Sequence, residues 1–86
     1  MKIVTSNRFD KRVQKQPTRV QKELKKRLYI FIEDINNPIL KVHKLSGKLK
    51  DMWSFNISGD IRVIFDKSQK DLIILVDIGS HSELYS

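Results

Sequence analysis

The 86-residue chain contains no cysteine, only two histidines, three glycines and two prolines. Without cysteine there can be no disulfide scaffold and no thiolate metal site. Two imidazoles are too few for a dedicated zinc site unless carboxylates help. The longest apolar run, Leu72 to Val76, is far shorter than a membrane span. The segment from Met1 to Asn7 lacks the apolar stretch and cleavage site of a signal peptide, so the expectation is a cytoplasmic protein with no membrane partner. A Gly-rich phosphate loop, a His-Glu-x-x-His motif and a nucleophile elbow are all missing, which removes the standard enzyme signatures. Linkers, repeats and low-complexity tracts are missing too, so residues 1–86 read as a single small domain. A chain of this size buries only roughly 60–65% of its unfolded surface, so its stability is modest or shared with a partner.

Acidic residues are scarce in one part of the chain. Residues 1–50 carry 14 Lys and Arg against 4 Asp and Glu, while residues 51–86 carry 3 against 6. The formal net charge is +7 and the pI about 9.9. A basic face favours a polyanion through counterion release. The same residues also serve as a solvated helix surface, because Lys and Arg are good helix formers.

Hydrophobic periodicity predicts the elements. Ile3 and Val4 open a short strand. Ser6 or Asn7 caps a first helix with Phe9 and Val13 on one stripe, and Pro17 ends it. Thr18 to Gln21 reads as a capping box opening a long helix. Val20, Leu24, Leu28, Phe31, Ile32 and Ile35 form its apolar face, opposite Arg19, Lys22, Lys25, Lys26 and Arg27. Asn36-Asn37-Pro38 stops it. Residues 39–50 show no period and read as a basic loop. Trp53, Phe55 and Ile57 then alternate with polar residues, a turn follows at Ser58-Gly59-Asp60, and Ile61, Val63 and Phe65 continue a hairpin. Leu72 to Val76 is apolar on both faces, as in a strand covered on both sides. The expected architecture is α+β: a short N-terminal strand, two helices, then a three-stranded antiparallel meander, with the helices on one face of a four-stranded sheet. Ser54, Asn56 and Arg62 then point to the uncovered face.

The residues able to carry chemistry are dispersed. His81 follows the Gly79-Ser80 break; it reads as an imidazole for proton transfer in RNA cleavage or as an exposed tail histidine. His43 reads as the complementary acid or base, or as part of the basic loop. Arg62 stabilises a developing phosphorane charge, or pairs with Asp60 or Asp77. Asp60 is a turn former or a base. Trp53 belongs to the core. Tyr85 is core or a platform for a base. Lys44, Lys48 and Lys50 are phosphate contacts or solvated charges.

The stretch from His43 through Gly47, Trp53, Phe55, Gly59 and Arg62 to Phe65 resembles the core signature of the RelE/ParE superfamily of bacterial toxins. The ending Ile78-Gly79-Ser80-His81-Ser82-Glu83-Leu84-Tyr85 is similar to the YafQ-type branch, with its histidine followed four residues later by an aromatic. The resemblance implies a type II toxin–antitoxin toxin: a ribonuclease cutting mRNA on the ribosome. In that chemistry the ribose 2′-hydroxyl attacks the adjacent phosphate, leaving a 2′,3′-cyclic phosphate and a 5′-hydroxyl, with no metal or cofactor. It implies His81 as general acid, with His43, Asp60 and Arg62 catalytic. Asn56, Lys44, Lys48, Lys50 and Tyr85 would bind substrate. The implied partners are an acidic antitoxin, mRNA and the ribosome, with operator DNA reached only through the antitoxin. Ser54 and Asn56 depart from the branch, which tends to carry an acidic residue and a histidine there; this thins the acid–base set. Alternative functions are a non-nucleolytic gyrase-poisoning toxin of the ParE type, or an inactive member that binds antitoxin.

Overall fold

The computed structural model describes residues 1–85. Its elements are β1 (Lys2–Thr5), α1 (Asn7–Lys15), α2 (Thr18–Glu33), β2 (His43–Lys44), β3 (Trp53–Ser58), β4 (Ile61–Asp66), β5 (Leu72–Gly79) and α3 (His81–Tyr85). Short 3-10 turns occupy Pro38–Leu40 and Gly47–Leu49. The strands form one five-stranded sheet in the order β1-β5-β4-β3-β2. β1 runs parallel to β5, and the other pairs are antiparallel. The expected count of four strands and two helices is therefore corrected to five strands and three helices. The two extra elements are β2, with 2 residues, and α3, with 5. Neither is long enough to display a period, and a helix that short does not hold itself together.

Each helix start has its own cause. Ser6 Oγ accepts from Phe9 N at 3.0 Å and donates to Val76 O at 2.7 Å, so one hydroxyl caps α1 and ties it to β5. The capping box expected at Thr18 does not form. Pro17 is the N-cap of α2 and offers no side-chain bond. Gln21 Nε2 instead donates to Val13 O and Gln16 O at 3.1 and 2.9 Å, satisfying the last carbonyls of α1 and stitching the two helices together.

The helices cover one face of the sheet. Phe31 of α2 stacks on Phe55 of β3 with centroids 4.6 Å apart and meets Phe65 of β4 edge-on at 5.1 Å. Leu24, Leu40, Ile57, Val63, Ile73, Leu75 and Ile78 complete this core with Phe9 of α1. Ile32, expected on the apolar face, is 58% exposed. It lies about 100° around the helix from Phe31, past the edge of the buried stripe. Ile35 falls beyond the helix end and packs partly on the core. Arg27, assigned to the outer face, folds inward, where its Nη1 donates to Ile39 O at 2.9 Å.

Register sets the other face. His43 pairs with Ser54, Ser54 with Ile64, Asn56 with Arg62, and Arg62 with Gly79. Paired residues project to the same side of a sheet. His43, Ser54, Asn56, Arg62 and Ile64 therefore share the side opposite Phe55, Val63 and Phe65. A bulge between Ile64 and Phe65 places two residues of β5, Val76 and Asp77, where regular pairing would hold one. Asp77 then turns toward α1. Its carboxylate, only 7% exposed as a residue, accepts from Arg8 Nε at 3.0 Å and lies 3.6 Å from Arg12 Nε. This clamp fixes α1 against the end of β5.

Candidate active site

The β3–β4 turn puts Asp60 two residues before Arg62. Asp60 Oδ1 accepts from Arg62 Nη2 at 3.2 Å, and Asp60 Oδ2 accepts from the backbone N of His81 at 3.2 Å. One carboxylate thus joins the hairpin to the first residue of α3. It draws Arg62 and His81, 19 positions apart in sequence, to one place. Arg62 is the more enclosed partner, its side chain 19% exposed against 61% for Asp60. Arg62 Nε is buried with no hydrogen-bond partner among the described residues. A buried donor left open is energetically unfavourable, and a catalytic role is one of the reasons such a group persists.

α3 is built by a reciprocal cap. Ser80 Oγ accepts from Glu83 N at 3.2 Å, and Glu83 Oε1 accepts from Ser80 N at 2.8 Å. The Ser80 amide, and after it the Ser80 hydroxyl, hold the Glu83 carboxyl below its ordinary range, and the charge of Arg12 adds to the effect. Within the helix, the His81 and Tyr85 rings meet with centroids 4.5 Å apart.

His43 stands on β2, across the sheet. Its Nδ1 lies 2.9 Å from Lys41 O, and its Nε2 lies 3.2 Å from Ser54 Oγ. A carbonyl only accepts, so the proton sits on Nδ1 and the Nε2 lone pair faces the Ser54 hydroxyl. That is the tautomer a general base requires. Two strand spacings and a two-residue step separate the α-carbons of His43 and Arg62 by roughly 12 Å.

Of the residues singled out from sequence, the structure brings together Asp60, Arg62, His81 and Tyr85. Asn56 adjoins Arg62 in the same row. His43 pairs with Ser54 at a distance; Lys44, next to it on β2, projects to the other side of the sheet, and Lys44, Lys48 and Lys50 are all exposed. Sequence reasoning missed Asp77 with Arg8 and Arg12, and Ser80 with Glu83. Asp77 had a signal: it is a lone acid at the end of an apolar strand. Ser80-x-x-Glu83 is itself the capping-box spacing. Among the described residues, no three metal-ligating side chains cluster, and no helix is long and apolar enough to cross a membrane.

Comparison with known proteins supplies an independent measure of this architecture. None of the curated proteins matches the chain. The crystal structure of YafQ from E. coli strain BL21(DE3) superposes with a TM-score of 0.82 at 20% identity, covering 98% of this chain and 97% of that one. YafQ in the crystal structure of the E. coli DinJ-YafQ toxin-antitoxin complex gives 0.79 at 22% identity, covering 98% and 96%. A metal-bound toxin from Helicobacter pylori gives 0.71 at 30% identity, covering 99% of both chains. The family model described as the bacterial toxin of type II toxin-antitoxin system, YafQ, matches residues 1–86 from end to end. With its tail histidine anchored to the β3–β4 hairpin of such a sheet, the chain belongs to the YafQ family of type II toxins.

Proposed function

We infer that this toxin is an endoribonuclease that stops translation by cutting mRNA on the ribosome, and that an antitoxin restrains it. The observation that supports the reading is the bridge through Asp60, which ties the backbone of His81 to the side chain of Arg62. The closest chemical match is 2′-hydroxyl attack on the neighbouring phosphate. His43 Nε2 takes the 2′-hydroxyl proton, exchanging its Ser54 contact for the ribose. His81 gives a proton to the departing 5′-oxygen. Arg62 faces the charge that builds on the phosphate oxygens, where a preorganised donor is worth about 2–4 kcal/mol. Proton transfer adds a factor of roughly 10²–10⁴. Asn56 and Tyr85 hold the flanking nucleotides, with Tyr85 offering a stacking face. Lys44, Lys48 and Lys50 contact the backbone phosphates.

Asp60 is a poor candidate for the base, because both carboxylate oxygens are already occupied. Its work is to position Arg62 and His81. The partner follows from family and charge: relatives are solved as a complex with DinJ, and a chain of net charge +7 favours an acidic segment.

The test is cleavage of an mRNA on purified ribosomes by the wild type and by His81→Ala. Cleavage that leaves a 2′,3′-cyclic end and disappears in the variant is the expected result. Wild-type protein that leaves ribosome-bound mRNA intact, or a variant that cuts as fast, would end the proposal.

A further inference from the structure

α3 has only 5 residues, a length at which a helix is not stable alone. Its position therefore depends on what grips its first turn. Asp60 holds the His81 amide, and the Ser80–Glu83 pair closes the cap. A third element lies behind them. A β-carbon built on Gly79 would sit 3.2 Å from Glu83 Oε1, 3.3 Å from Glu83 Cβ and 3.4 Å from Arg12 Nη1. The missing side chain of Gly79 is thus the space into which Glu83 and Arg12 both fit. Arg12 is itself held by Asp77 at 3.6 Å, and Asp77 by Arg8 at 3.0 Å.

We propose that Gly79, Glu83 and Arg12 form a latch that seats α3 on the end of β5 and so sets the position of the His81 imidazole; Glu83 and Arg12 are positioning residues for the cleavage step. Arg12 of α1 and Glu83 of α3 both close on the α-carbon of Gly79, and Glu83 then reaches the Ser80 amide at the start of the helix that carries His81. Their effect on the reaction is geometric, and displacing a reacting group by about 1 Å can cost on the order of 10²-fold in rate. Gly79 has no left-handed backbone angle to defend, so its role is space. That makes Gly79→Ala a steric probe that removes no charge and no hydrogen-bonding group.

The latch presupposes the nuclease reading, so its test has one arm that needs RNA and one that does not. In the first, Glu83→Ala and Gly79→Ala are expected to lower kcat by roughly 10–100-fold, with KM and the thermal unfolding midpoint unchanged. Glu83→Gln keeps an acceptor for the Ser80 amide and is expected to restore most of the rate. Alanine variants that cut like wild type, or a Gln variant as slow as Ala, overturn the proposal. So does a fall in rate matched by a fall in unfolding midpoint. In the second arm, NMR relaxation and amide shifts of Ser80, His81 and Glu83 are compared in the same proteins without RNA. Faster motion of α3 confined to the Ala variants is expected; unchanged motion overturns the latch. If the wild type cuts no RNA at all, the nuclease reading falls while this second arm still judges the latch.

Discussion

α2 and α3 are held by opposite means. α2 has 16 residues, no side-chain cap and three buried apolar residues, Val20, Leu24 and Phe31. α3 has 5 residues, none buried, with a hydrogen bond at each arm of its cap and a carboxylate under its first amide. The long helix stays in place because removing it would expose the aromatic cluster to water. The short one stays because a few polar contacts are geometrically satisfied. Burial gives stability with little angular selectivity, whereas hydrogen bonds give orientation with little net energy. His81, the proposed general acid, belongs to the element held by orientation.

This contrast can be broken first at the core. Phe31→Ala removes the ring at the centre of the stack and is expected to destabilise the fold by about 3–5 kcal/mol, read as the shift in a denaturant midpoint. A loss below about 1 kcal/mol would mean that α2 is not held by the cluster. The next largest effect belongs to Arg62, on the side of the sheet opposite the aromatic cluster. Arg62→Ala is expected to slow single-turnover cleavage by about 2–4 kcal/mol of transition-state energy while the unfolding midpoint moves little. Loss of stability without loss of rate would place Arg62 among the structural residues.

A smaller effect is expected at the α1 cap. Ser6→Ala removes the oxygen that accepts from Phe9 N and is expected to cost about 1 kcal/mol of stability, measured by denaturant unfolding. An unchanged midpoint would show that α1 is held by its core contacts and by Asp77 alone.

The smallest effect sharpens the contrast by pH. The Glu83 carboxyl is held below its ordinary value of 4.5 by the Ser80 amide, then by the Ser80 hydroxyl, with help from Arg12. A carboxylate lowered in this way favours the capped arrangement of α3 above its ordinary pKa, and that local contribution fades as pH falls through the lowered value. The Ser80 amide shift should therefore titrate with a midpoint below 4.5. A midpoint at or above that value would mean that the cap bond is absent in solution.

Much of the core was legible in the sequence, because a period of two or of 3.6 is written in consecutive side chains. The strands at Trp53, Phe55 and Ile57 and at Val63 and Phe65, and the helix carrying Val20, Leu24 and Phe31, all show it. The misreadings lie where local chemistry competes with tertiary contacts. Thr18 and Gln21 have the spacing of a cap, but Pro17 already occupies the N-cap and Gln21 serves the end of α1. Ile32 matches an apolar stripe, but it lies about 100° around α2 from the buried Phe31 and faces solvent.

By itself the sequence determined the charge asymmetry, the alternating strands, the long amphipathic helix and the family-like tail with its histidine and aromatic. These depend on residue type and on spacing along the chain. Only the tertiary structure decided that Asp60 bridges Arg62 and His81, that His43 meets the Ser54 hydroxyl, and that Glu83 and Arg12 share the space left by Gly79. Each of those contacts joins residues through strand register, a bulge or a missing side chain. Such a contact exists only once the strands have paired and the helices have closed over one face of the sheet.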